Sequence, residues 1–159
     1  MLTIEESAAA LADPQSDTWA KYEALFCLRT LATDEAATVL MEQFHNMGTS
    51  DLLKHETCYV IGQMRVSNSY DFLVSTMHNV EESPIVRHEA GEALANYHDI
   101  KEKCIAEMIK HWDSDISLLK STVRVGILKL KEFTQESRYG KKYGGTIEPA
   151  EPFNQEEIL

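Results

Sequence analysis

Two stretches decide the fold: LKHETCYVIGQM at Leu53–Met64 and VRHEAGEALANY at Val86–Tyr97. Each sets a His-Glu dipeptide at the same point of a helical apolar pattern, and 88 − 55 = 33 residues separate the two histidines. The same period carried outward reaches AKYEALFCLRTL around Tyr22 and LKSTVRVGILKL around Ser121, which keep the pattern but lose the His-Glu pair. Leu28, Ile61, Leu94 and Ile127 form one apolar rung, and Ala20, Leu53, Val86 and Leu119 another. Leu31, Met64, Tyr97 and Leu130 form a third. A helix-pair unit of ~30–45 residues cannot bury its apolar face alone and must stack on its neighbours. The chain is therefore expected to be all-α, with HEAT-like helical-hairpin repeats of period 33 stacked as a short α-solenoid.

Inner helices are predicted near 18–32, 51–65, 84–97 and 116–132, with partners near 34–46, 69–80 and 100–112. Thr3–Ala12 reads as a short opening helix ended by Asp13-Pro14, because proline disfavours helix at the residue before it. Asp17, Ser50 and Ser83 take the N-cap position, and Pro84 sits where a helix tolerates a missing N–H. The fourth inner helix is expected to lack a following partner, since the sequence after Phe133 turns to Gly, Lys and Pro. Residues 1–133 thus form the expected repeat domain and 134–153 a linker. NQEEIL at 154–159 reads as the opening turn of a further helix, as if cut where a second domain begins.

At 159 residues the chain suits one domain with a real core. No apolar run reaches the ~18–20 residues of a membrane helix, and the acidic start MLTIEESAAALADP has no basic n-region. Cys27, Cys58 and Cys104 lie far apart at no zinc-type spacing, which fits reduced thiols in the cytosol. A net charge of −11 argues against nucleic acid, whose phosphates it would repel. It suits a basic protein substrate or one presenting a lysine-like amine, although acidic surfaces also serve solubility.

On a helical wheel of ~100° per residue, Leu53, Thr57, Val60, Ile61 and Met64 form the buried stripe of the second inner helix. His55, Tyr59 and Gly62 fall opposite, with Glu56 on a flank. In the third copy His88, Glu92 and Ala95 fall opposite Val86, Ala90, Leu94 and Tyr97. Both histidines then project from the inner surface, where helices ~8–10 Å apart allow them to converge on one ion. Imidazole plus carboxylate is a ligand set of non-haem iron. Adjacent His and Glu diverge by ~100°, so one helix feeds two ions, or one ion and its supporting shell. Two such helices supply two His and two Glu, enough for a mononuclear two-His-one-carboxylate site. A carboxylate-bridged di-iron centre draws on four helices, so it would need a partner surface. His45, His78, His98 and His111 share no such phase and are read as surface residues.

LLKHETCYVIGQM followed by PIVRHEAGEALA, together with KYEALFCLRTLA and the segment TIEPAEPF, resembles the N-terminal half of the deoxyhypusine hydroxylases. The resemblance implies a HEAT-repeat di-iron monooxygenase that hydroxylates deoxyhypusine on a eukaryotic translation factor. It implies two iron ions per complete site, with molecular oxygen as co-substrate. It also implies two symmetric halves that together hold four His-Glu motifs. His55, Glu56, His88 and Glu89 are the ligands it assigns to this chain. No catalytic side chain beyond them is implied. The other half of the site would come from a C-terminal domain, another chain or a second copy. Glu92, one turn after His88, could hold an amine of the substrate arm, and Tyr59 could line or support the same surface. Gly62 and Gly91 either make room for that arm or allow close helix packing. The rival readings are a non-catalytic HEAT scaffold for a basic partner, a bilin-lyase-like repeat enzyme, and a mononuclear iron protein.

Overall fold

The computed structural model describes residues 1–47 and 50–132, and the expected linker and final helical turn lie outside them. Eight α-helices follow one another among the described residues: α1 (Ile4–Ala12), α2 (Thr18–Leu31), α3 (Asp34–Gln43), α4 (Asp51–Met64), α5 (Tyr70–His78), α6 (Pro84–Leu94), α7 (Lys101–Met108) and α8 (Ser117–Glu132). Short 3-10 turns extend α3 and α7 and precede α5 and α7. The even-numbered helices stack α2–α4–α6–α8 as an inner layer, and α1, α3, α5 and α7 cover it. The rung of Leu28, Ile61, Leu94 and Ile127 runs through this stack fully buried. Ala20 and Leu31 are partly exposed, since among the described residues α2 has an inner neighbour, α4, on one side only.

The pairing differs from expectation by one helix. Each outer helix from α5 onward packs on the inner helix that follows it: α5 on α6 and α7 on α8, as α1 does on α2. The opening helix is thus the outer member of the first pair, and α8 already has its partner. Asp17 and Ser50 cap α2 and α4 as expected, each accepting from a backbone N–H three residues on. Ser83 stands at the N-cap of α6 without a side-chain cap bond, and Pro84 supplies the first helical residue.

Small residues set the inner spacing. A Cβ added at Gly62 would lie 2.5 Å from Ala93 Cβ and 2.8 Å from its Cα. No side chain fits between α4 and α6 at that point, and the resulting close approach aligns their inner faces. Gly62 is buried there rather than on an open surface, and its missing side chain permits the close approach of α4 and α6. Ala95 is likewise buried, 1% exposed, against α8 at Gly126, although the wheel put it on the open face.

Candidate metal centre

The period delivers donor atoms from successive inner helices to one place. His55 leaves α4 and His88 leaves α6 on the same face, with ring centroids 5.6 Å apart. Glu89 follows His88 but turns back toward α4, and its Oε2 lies 3.1 Å from His55 Nε2 and 3.8 Å from His88 Nε2. One donor atom from each of His55, His88 and Glu89 falls within 4.8 Å of the others, close enough to share a metal ion. The ~100° divergence of adjacent His and Glu produces this arrangement, because the carboxylate of one repeat meets the imidazole of the repeat before.

Glu56 takes the equivalent position one repeat earlier and lies outside this three-donor group. Its Oε1 is 3.4 Å from His55 Nδ1, off the line of a hydrogen bond, so that buried nitrogen has no hydrogen-bond partner. Toward α2 it faces Tyr22, whose hydroxyl pKa is raised by burial and then by the Glu56 charge. At the other end Thr122 Oγ1 lies 3.0 Å from His88 Nδ1. Thr122 is the residue at the Glu position of the fourth copy, since 122 − 89 = 33. Where the sequence lost its His-Glu pair, it kept a group that can fix an imidazole. With the proton on Nδ1 donated to Thr122, His88 Nε2 keeps a lone pair toward Glu89.

The electrostatics favour a cation at this point. Glu89 is only 5% exposed, and burial, then Glu92 and Glu56, push its pKa up to about 8. His88 is shifted down by burial and then by His55, partly offset by Glu92. A buried carboxyl short of positive charge, a neutral imidazole and an orphaned imidazole nitrogen together fit a metal ion of the type that nitrogen and oxygen ligands hold.

The remaining candidates stand around this group. Glu92 is exposed and borders a shallow cavity of about 250 Å³ with Ser121, Thr122 and Lys129. Tyr59 is 38% exposed on the same side of α4. Gly91 is buried, and a Cβ there would meet Met77, Thr122 and Val123 at ordinary contact distances, so space does not demand glycine at this position. His78 and His111, read as surface residues, are instead half-buried and bonded to each other, His111 Nε2 to His78 Nδ1 at 2.7 Å. Their spacing, 111 − 78 = 33, was the available signal.

No family model matches the chain. Human deoxyhypusine hydroxylase is 31% identical over 165 residues, an alignment covering 99% of this chain and 52% of the relative. The structure of human deoxyhypusine hydroxylase in complex with glycerol superposes with a TM-score of 0.76 at 27% identity, covering 91% of this chain and 48% of that one. This chain is a homologue of the deoxyhypusine hydroxylases. The Saccharomyces cerevisiae deoxyhypusine hydroxylase shares 44% identity over a shorter stretch of 62 residues. The chain spans about half the length of the curated deoxyhypusine hydroxylases it matches nearly end to end. The HEAT-like, all-α fold read from the sequence is that of the human enzyme. Among the described residues no helix is long and apolar enough to cross a membrane, and Cys27, Cys58 and Cys104 are free thiols.

Proposed function

We propose that this chain is the metal-binding half of a deoxyhypusine hydroxylase-like monooxygenase, corresponding to the N-terminal half of its relatives and acting in the cytosol. The convergence of His55, His88 and Glu89 on one point carries the reading. Iron held there, two ions in a complete site, would supply the activation of molecular oxygen that attack on an unactivated carbon requires. In the chain itself, His55, Glu56, His88 and Glu89 provide donors, and Thr122 holds the His88 ring and its tautomer. The packed α4–α6 interface keeps water from Glu89. Glu92, beside His88 at the rim, is placed to receive the ammonium of a deoxyhypusine side chain on a translation factor. The net charge of −11 favours such a basic substrate.

A second His-Glu half, in a C-terminal domain or a homodimer partner, completes the di-iron site in this reading. Trp19, 80% exposed, and Phe26, 36% exposed, border an apolar cleft of about 460 Å³ with Tyr22 on α2. Apolar surface of this kind marks a place where protein packs. For the chain by itself, two imidazoles and one carboxylate within 4.8 Å favour the mononuclear alternative. The test is hydroxylation of a deoxyhypusine-bearing translation factor by the iron-loaded chain, alone and mixed with the complementary half of a relative. Product in either case, abolished by His88→Ala, supports the reading. Absence of product in both leaves a metal-binding scaffold instead.

A further inference from the structure

His45, His78 and His111 recur on the 33-residue period, and the last two form a pair in the outer layer that shares no residue with the inner centre. His78 ends α5, and His111 ends the 3-10 turn Ile109–His111 that follows α7. Their rings lie 4.8 Å apart, centroid to centroid, inclined by 34°, and His111 Nε2 is 2.7 Å from His78 Nδ1. His78 Nε2 lies 2.7 Å from Glu107 Oε2. The carboxylate can only accept, so His78 Nε2 carries the proton and Nδ1 presents a lone pair to His111. A carboxylate behind one imidazole nitrogen, with the other nitrogen aimed at a second imidazole, is how metal-binding histidines are held in one tautomer.

We propose that His78 and His111 form a second metal site, for a divalent ion of the copper–zinc class, oriented by Glu107 and completed by water. A tetrahedral ion with Zn–N bonds of 2.0–2.1 Å needs its two nitrogens roughly 3.3 Å apart. The pair must therefore open by about 0.6 Å. Side chains at the outer surface, 30% exposed at His78, can supply that by small rotations. The cations facing the pair are Lys110, bound to Glu107 Oε2 at 2.7 Å, and Arg87, whose Nε donates to Met77 O at 3.0 Å. Burial first, and then His78, Arg87 and Lys110, hold His111 below its ordinary pKa and so neutral, with its Nε2–H donating to His78 Nδ1. An ion entering between the rings displaces that hydrogen bond as the His111 proton shifts to Nδ1. The imidazole donors disfavour Mg2+ and Ca2+, which need clustered oxygen ligands, and select ions that bind nitrogen. Bound there, the ion would staple the end of α5 to the turn after α7 and join neighbouring outer helices.

The experiment titrates Zn2+ into the full chain carrying His55→Ala and His88→Ala, which removes the inner imidazoles. About one Zn2+ per chain should bind, raising Tm by several degrees. Adding His111→Ala should abolish that binding, and adding Glu107→Gln should weaken it roughly 10–100-fold. Nitrogen-15 spectra of the histidine rings, recorded on the double variant itself, should shift at His78 Nδ1 and His111 Nε2 while His45 and His98 stay put. That spectrum decides the matter even where His111→Ala fails to fold. No zinc uptake, uptake that survives His111→Ala, or shifts confined to His45 or His98 would overturn the proposal.

Discussion

His55 Nε2 lies 3.1 Å from Glu89 Oε2, a carboxylate that belongs to the next repeat. The offset is 89 − 55 = 34 residues, one period plus one, and the same offset joins His88 to Thr122. Each imidazole is thus held by the repeat that follows it, and Glu89 stands between the two histidines. The metal centre is in this sense a property of the stack rather than of either His-Glu dipeptide.

The state of Glu89 gives a pH signature. Its pKa of about 8 in the fold, against an ordinary carboxylate value of 4.5, means that between these values the folded chain keeps a proton that the unfolded chain has released. The metal-free fold therefore gets this contribution in full below about pH 4.5 and loses it progressively as pH rises toward 8. A metal needs the carboxylate, so binding below pH 8 must expel that proton. Ferrous affinity measured anaerobically should rise about tenfold per pH unit up to that point, with proton release visible to an indicator dye. A flat profile across this range would contradict the assignment of Glu89 as a ligand.

Thr122 should matter through His88. Thr122→Val keeps the shape and the contact with α6 but removes the oxygen 3.0 Å from His88 Nδ1. Loss of such a supporting hydrogen bond lowers metal affinity roughly 10–100-fold. Thr122→Ser should restore most of it, with Tm nearly unchanged in both variants. Equal affinity in the valine and serine variants would show that Thr122 has no positioning role.

Gly62 tests the spacing of the inner layer. Alanine there places its Cβ 2.8 Å from the Cα of Ala93, and backbone cannot yield as a flexible side chain would. Gly62→Ala should cost about 1–3 kcal/mol, seen as a fall in Tm of several degrees, despite alanine's better helix propensity. Gly91→Ala, with its nearest neighbour the Met77 sulfur at 3.4 Å, should be far milder. Thermal unfolding of the two variants side by side decides between a packing role and a role in substrate access.

Much of this architecture was legible in the sequence because a repeat writes its core several times over. The rung at Leu28, Ile61, Leu94 and Ile127 is apolar in every copy and buried in every copy. The wheel placed His55 and His88 on one face because phase alone fixes direction along a regular helix. It misplaced Gly62 and Ala95, since phase says nothing of how closely the next helix approaches. Which helix pairs with which was likewise hidden: periodicity fixes the unit's length, and contacts alone fix where the unit begins. Thr122 was visible only as a lost glutamate, because its role lies in the hydrogen bond it makes to another repeat. His78 and His111 went unread for a simpler reason, that no neighbouring glutamate drew attention to their 33-residue spacing.

The most direct measurement is iron per chain after anaerobic ferrous loading and gel filtration, with the mass of the peak read by light scattering. The account predicts retained iron at about one ion per chain, lost in His55→Ala and His88→Ala, whether the chain runs as a monomer or pairs with a second copy. Iron-free protein at every mass, or iron retained equally by the two alanine variants, would contradict it.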